Sequence, residues 1–319
     1  MKFLITGVAG FIGYSTAYRL LKGGHSIVGI DNMDNYYSRN YKKKRLENLY
    51  TFKNFEYHYI DVSDQKKINT FFKKKKFDYI IHLAAQAGVR YSRINPSKYI
   101  KTNMLGFFNI LEASKNKKVK KILYASSSSV YGDNNKFPLN EKETLNPKSI
   151  YAITKQNNEQ IADYYSREYK KSIIGLRFFT IYGEWGRPDM FLFKLFKSIC
   201  LKKKFFLNNY GNHDRDFTYI DDAVNSIIKI LKKKITSHQV FNVCSSTPIN
   251  IKNIIKNLKK KNNIKVKYIK QDNSDVLKTH GCNKKIISVT KSKIKTDLFS
   301  NLDEMLAWYK DNKIYKYKL

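Results

Sequence analysis

Tyr151 and Lys155 stand four residues apart in Tyr151-Ala152-Ile153-Thr154-Lys155, which places a phenol and an ammonium on one face of a helix. A phenol titrating near pH 10 is a poor base at neutral pH, and a neighbouring positive charge favours its ionised form. In a chain so rich in Tyr and Lys the same spacing also describes an amphipathic surface helix. Upstream, Ser126-Ser127-Ser128-Ser129-Val130-Tyr131-Gly132 leaves an apolar run at Ile122 to Ala125. That places hydroxyls at the carboxyl edge of a sheet, where open α/β sheets bind ligands. A second constellation is Gly7-Val8-Ala9-Gly10-Phe11-Ile12-Gly13, directly after the apolar segment Lys2 to Thr6. The three glycines suit a tight turn, a close approach to a diphosphate and close helix packing. Asp31 follows Gly13 by eighteen residues at the end of a second strand, where its carboxylate can accept both ribose hydroxyls and would repel a 2′-phosphate. This favours NAD over NADP; the alternative is an Asp31 that caps a turn. Asp61, closing a third strand, can meet an adenine amino group or cap a helix.

These residues need a frame. Strands are expected at Lys2 to Thr6, Ser26 to Ile30, Tyr57 to Ile60, Tyr79 to Leu83, Ile122 to Ala125 and Ile173 to Leu176. Helical spacing runs through Phe11 to Lys22, Lys66 to Phe72, Ser97 to Ala113 and Ala152 to Tyr169. Such alternation predicts an α/β fold with a doubly wound parallel sheet, of Rossmann type, and a smaller C-terminal α+β substrate lobe. The expected division is residues 1–178 with roughly 214–244 for NAD, and roughly 179–213 with 245–319 for the substrate.

With 319 residues, 42% of them hydrophobic, the chain can bury a sizeable core despite a formal charge of +35. Only nine of the 61 basic residues are arginine, and the lysines are spread in short runs such as Lys73 to Lys76 and Lys259 to Lys261. They read as a solvated surface, so no nucleic-acid partner is expected. The sequence has no run of 18 apolar residues and no signal-peptide pattern, so no membrane partner is expected. Cys200, Cys244 and Cys282 match neither a disulfide framework nor a metal spacing, which suggests a metal-free, cytoplasmic protein.

Taken together, the Gly-rich turn, Asp31, the serine run and Tyr151/Lys155 resemble the extended short-chain dehydrogenase/reductase family of nucleotide-sugar enzymes, over nearly the whole chain. Within it, His82 to Ser92, Leu176 to Met190, Asp31-Asn32-Met33 with Tyr36-Tyr37, and Arg215 to Asp222 are similar to the branch that inverts C4 of a UDP-hexuronic acid. The resemblance implies a homodimer that acts on UDP-glucuronate through a 4-keto sugar. Ser127, Tyr151 and Lys155 would be catalytic. Gly7, Gly10, Phe11, Ile12, Gly13, Asp31, Asn32, Asp61, Val62, Leu83, Ala84, Ala85, Asn103, Tyr151 and Lys155 would hold NAD. Arg90, Ser127, Ser128, Thr180, Arg187, Arg215 and Asp275 would hold the UDP-sugar, with Thr180 and Arg187 on the uronate; Arg187 can equally be a structural partner of Asp189. The related dehydratases carry an Asp-Glu pair at the positions of Ser128 and Ser129, and the decarboxylases carry Glu at Ser129, which makes elimination and decarboxylation poor fits here. Asn273-Ser274-Asp275-Val276 departs from the family's Pro-Gly-Asp-Val, and Phe205 to Leu207 are a candidate uracil platform or simply core. Two other readings stay open. One is a 4-epimerase of UDP-glucose or an N-acetylated sugar, and the other is a noncatalytic NAD- or RNA-binding protein.

Overall fold

The computed structural model describes residues 1–134, 136–270, 276–292, 294 and 297–317. In chain order the elements are β1 (Lys2–Thr6), α1 (Phe11–Lys22), β2 (Ser26–Asp31), α2 (Arg39–Tyr50), β3 (Phe55–Tyr59), α3 (Gln65–Lys74) and β4 (Tyr79–His82). After these come α4 (Tyr91–Ile94), α5 (Pro96–Tyr99), a π-helical stretch Ile100–Leu105, α6 (Gly106–Ser114), β5 (Lys121–Ser127), α7 (Ile150–Glu168) and β6 (Ile173–Phe178). The remainder comprises β7 (Thr180–Tyr182), α8 (Phe191–Cys200), β8 (Phe205–Asn208), β9 (Asp214–Tyr219), α9 (Ile220–Leu231), β10 (Gln239–Val243), β11 (Pro248–Asn250), α10 (Ile251–Lys259), β12 (Val266–Ile269), α11 (Lys284–Thr290) and α12 (Leu298–Asp311).

Seven strands form one sheet in the order β10-β6-β5-β4-β1-β2-β3, every pair parallel. Their side chains bury on both faces, so the strands read as continuous apolar runs rather than alternating ones. Phe3 and Ile5 pack with α1 and α9 on one side, while Leu4 packs with Ile68, Phe107 and Ile110 on the other. The strand order reverses between β1 and β4, and doubly wound sheets bind ligands in the crevice above that point. A second core, built from Leu192, Phe196, Ile254, Leu302 and Tyr309, lies under β8 and β12 and the small β11-β9-β7 sheet. The chain returns to the large sheet through α9 and β10.

The structure adds a helix and revises one expectation. Helix α2 occupies a stretch to which the sequence assigned no element, and its first seven residues, Arg39-Asn40-Tyr41-Lys42-Lys43-Lys44-Arg45, carry five cations. The lysines are also not uniformly solvated: Lys42, Lys121 and Lys155 are buried. Each is compensated locally. Lys121 Nζ donates to the carbonyl of Leu231 at 2.9 Å at the end of α9, and Lys42 lies over the Tyr37 ring.

Candidate active site

At the end of β1, Thr6 joins the two strands that flank the switch point. Its hydroxyl lies 2.9 Å from His82 Nδ1 and accepts from the amides of Leu83 and Ala84 at 3.2 and 3.1 Å. Burial holds His82 down to about pKa 3, so the imidazole is neutral and structural. Gly7 then turns with φ +71°, and a Cβ there would lie 2.6 Å from the Ala84 nitrogen. A Cβ on Gly13 would fall 2.1 Å from the Gly7 carbonyl oxygen, so this helix start admits no side chain. No side chain caps α1 and no carboxylate occupies its first turn, which leaves the first amides and the positive end of the helix facing the crevice. Asp31 ends β2 with Oδ2 accepting from Ala9 N at 3.1 Å and Oδ1 from Met33 N at 2.8 Å.

The carboxyl end of β5 supplies the serines. Ser126 donates to Glu159, itself paired with buried Arg177, whereas Ser127 Oγ accepts from Ser129 N at 3.1 Å and keeps its own proton to donate. Ser149 caps α7 by accepting from Ala152 N at 3.2 Å, which fixes the turn carrying Tyr151. Lys155 donates to the Ala125 carbonyl at 2.8 Å and ties α7 to β5. Its burial pulls the ammonium down to about pKa 8. Burial raises the Tyr151 phenol, while hydrogen bonding to Ser127 and the charge of Arg187 pull it back. The sequence suggested that Lys155 lowers Tyr151; in the ligand-free chain burial wins, and the cation acting on the phenol is Arg187.

A cavity of about 330 Å³ gathers these parts. It is lined by Gly7, Gly10 to Gly13, Asp31, Asn32, Val62, Leu83 to Ala85, Ser127, Ser128, Tyr151, Lys155, Thr180 and Arg187. Arg187 donates through Nε to Asp189 at 2.9 Å, pairs with it again through Nη2, and reaches the Ala87 carbonyl at 3.3 Å. Tyr36 donates to the same carboxylate at 3.0 Å. Burial pushes the Asp189 carboxyl up, but Arg187 and Tyr36 outweigh it and hold the group ionised.

Other expected contacts lie elsewhere. Asp61 accepts from Asn32 Nδ2 at 2.8 Å and from Ser63, so it sits one residue outside the lining and orients Asn32. Asn103 spends its side chain on Gln86 and Thr154, which makes it a brace for the loop after β4. Arg90 donates through Nη1 to the Asn208 side-chain oxygen at 2.9 Å, and Arg215 donates to the carbonyls of Asp214 and Leu277. Both are outside the cavity lining. Phe205 and Leu207 are buried in the second core, so the run is chiefly core, with the Phe206 ring alone of the three presented to solvent. Asp275 lies outside the described residues. The reading of the sequence missed Lys42 and Met190 in the lining, and Arg45 beneath it. Tyr41, Arg45 and Leu49 do follow helical spacing, but that signal is legible only if a buried arginine is admitted among apolar positions.

The fold and the site define a dinucleotide-binding α/β enzyme with a Ser-Tyr-Lys constellation at the switch point. The chain belongs to the NAD dependent epimerase/dehydratase family, whose model matches residues 3–244. Among its relatives, UDP-glucuronate 4-epimerase 4 of Arabidopsis thaliana is 38% identical over 96% of this chain and 74% of that protein. Protein CapI of Staphylococcus aureus is 36% identical over 97% of this chain and 98% of its own. The crystal structure of UDP-glucuronic acid 4-epimerase from Bacillus cereus, in complex with UDP-glucuronic acid and NAD, superposes with a TM-score of 0.92. It is 29% identical, over 98% of this chain and all of that one.

Proposed function

We propose that this chain interconverts UDP-glucuronate and UDP-galacturonate by NAD-dependent inversion at C4. One observation carries the reading: Ser127, Tyr151, Thr180 and Arg187 line the same cavity as the Gly-rich turn and Asp31. The chain's similarity to named UDP-glucuronate 4-epimerases supports it.

The residues present fit NAD. The glycines admit backbone close to a diphosphate, the open start of α1 favours its charge, and Asp31 offers a carboxylate to the adenosine ribose where a 2′-phosphate would be repelled. When bound, NAD⁺ supplies the acceptor and then the donor of the C4 hydride, and brings a positive charge into the cavity. Tyr151 takes the C4 hydroxyl proton on its phenolic oxygen and returns it at the end. Ser127, its oxygen already committed to Ser129 N, donates to the same sugar oxygen. Lys155 holds the base end of α7 against β5. Inversion at C4 would require the 4-keto sugar to turn over within the cavity and present its opposite face to the bound cofactor. Because that intermediate is a β-keto acid, its carboxylate must be held against loss of CO₂. Thr180 and Arg187 take that role, with Arg187 presenting Nη1 while Asp189 keeps Nε and Nη2.

Residues 1–178 with roughly 214–244 are assigned to the cofactor lobe, and roughly 179–213 with 245–319 to the sugar-nucleotide lobe; the boundary is interlocked, because β9 (Asp214–Tyr219) pairs with β7 and β11 in the small sheet while Ile286 of α11 packs in the core of the large one. Arg215 and Asp275 are assigned to the uridine diphosphate end. The chain works as a homodimer in the cytoplasm. Ile100, Leu105 and Phe108, on the π-helical stretch and α6, together with Ile153 on α7, are all more than a third exposed and supply an apolar face for a second copy. Three free cysteines fit a reducing compartment, and no helix among the described residues is long and apolar enough to cross a membrane. The deciding experiment incubates the protein and NAD⁺ with UDP-glucuronate and, separately, UDP-glucose, followed by proton NMR of the anomeric region. UDP-galacturonate as product supports the reading. Conversion of UDP-glucose alone assigns a different UDP-hexose as substrate, and no conversion of either rejects it.

A further inference from the structure

Arg45 is fully buried, yet it has no carboxylate partner among the described residues. Its Nη1 donates to the Ala9 carbonyl at 2.8 Å and to the Tyr37 hydroxyl at 2.7 Å. Its Nη2 donates to the Trp185 carbonyl and, at 3.1 Å, to that of Gly186. The guanidinium lies over the rings of Tyr41 and Tyr37, 4.5 and 5.6 Å from their centroids, and Nε has no hydrogen-bond partner among the described residues. Burying an unpaired charge is costly, and carbonyl dipoles with two aromatic faces recover only part of that cost.

The two ends of this clamp belong to the two halves of the site. Ala9 sits inside the Gly7 to Gly10 turn, and its own amide donates to Asp31. Trp185 and Gly186 immediately precede Arg187. Trp185 adopts φ +59°, a left-handed conformation that a bulky residue holds only where its surroundings over-determine it. Those surroundings are the rings of Tyr14, Tyr41 and Trp308, at centroid distances of 5.6, 5.7 and 5.4 Å, and the guanidinium on its carbonyl.

We infer that Arg45 is a positioning residue that couples the cofactor cradle to the Arg187-bearing loop, so that filling one side changes the affinity of the other. This rests on the function proposed above. The planar fork is what spans Ala9 on one side and Trp185-Gly186 on the other; a compact ammonium cannot serve both. Coupling of this kind is reciprocal, so it is readable from either ligand.

The test is calorimetric titration of UDP-glucuronate into nucleotide-stripped Tyr151→Phe protein, with and without saturating NAD⁺, and of UDP as a probe without the sugar. Tyr151→Phe blocks turnover, so binding alone is measured. The expected result is that NAD⁺ tightens UDP-glucuronate about fivefold or more, and that adding Arg45→Lys cuts this factor below about twofold while UDP affinity moves less than about threefold. Should Arg45→Lys not fold, Tyr37→Phe removes one acceptor of the same fork and is expected to reduce the factor in part. A merely structural Arg45 would lower the melting temperature and weaken both ligands with the coupling factor intact. An unchanged factor in Arg45→Lys, or no coupling in Tyr151→Phe itself, overturns the inference. NAD⁺ binding with no UDP-glucuronate binding at all in Tyr151→Phe instead rejects the proposed function, and this inference with it.

Discussion

Lys155 donates its hydrogen bond to the main-chain carbonyl of Ala125 at 2.8 Å, while its nitrogen stands 6.0 Å from the centroid of the Tyr151 ring. The ammonium therefore holds the carboxyl end of β5, which carries Ser127, to the helix that carries the phenol. Without ligand its charge is poorly solvated, and burial lowers it to about pKa 8. Deleting it should disturb the spacing of hydroxyl and phenol as well as the local charge.

That depressed ammonium has a pH signature. In the folded chain Lys155 titrates near 8, against 10.5 for an ordinary lysine, so between those values the unfolded chain binds more protons. Stability from this group is therefore lowest below pH 8 and rises with pH across the window from about 8 to 10.5. Urea unfolding of the ligand-free chain should show Lys155→Met gaining on the wild type by about 2 kcal/mol at pH 7.5, an advantage that shrinks toward pH 10. A pH-independent difference would place the Lys155 pKa at its ordinary value.

Tyr151→Phe should lower kcat by about a thousandfold or more with little change in melting temperature, because it keeps the ring and gives up the phenol's hydrogen bond to Ser127 at the cavity. Ser127→Ala removes the hydroxyl that donates to the same sugar oxygen and should cost about tenfold to a hundredfold. Both are read by product NMR on UDP-glucuronate, alongside thermal unfolding. An unimpaired Tyr151→Phe enzyme would remove the phenol from the reaction.

Most of the nucleotide half was legible because its constraints are local. Gly7, Gly10 and Gly13 are dictated by backbone contacts under 3.1 Å, and a short turn between a strand and a helix fixes them in sequence. The strands of the large sheet announced themselves as apolar runs, since both of their faces are covered. What escaped depends on distant partners. Whether Phe205 faces a base or the second core, and whether Arg45 is solvated or clamped, are decided by segments up to 141 residues away. Helix α2 failed for the same reason: its buried face is Tyr41, Lys42, Arg45, Leu46 and Leu49, and the two cations in it are paid for by carbonyls and rings that no local pattern reveals.

Behind the serines, Glu159 and Arg177 form a buried ion pair to which Ser126 and Tyr131 also bond. Removing one partner leaves an uncompensated charge, so Arg177→Met should destabilise the fold by about 3–5 kcal/mol in urea unfolding. Glu159→Gln together with Arg177→Met should recover part of that loss. A double variant as unstable as the sum of its parts would mean that the pair is not coupled.

Substrate choice is expected to turn on Arg187. Its Nε and Nη2 are engaged by Asp189, which fixes the plane of the guanidinium and leaves Nη1 to meet a carboxylate in the cavity. A hydrogen bond to a charged group is worth about 1.5–3 kcal/mol, so Arg187→Ala should cut kcat/KM on UDP-glucuronate by about tenfold to a hundredfold. UDP-glucose, which lacks that charge, should lose no more than about threefold on the same scale. Side-by-side kinetics on the two sugars check this, with the same variant showing whether 4-keto uronate escapes as CO₂ and a pentose product. Equal losses on both sugars would confine Arg187 to its pairing with Asp189 and move the carboxylate contact to Thr180 alone.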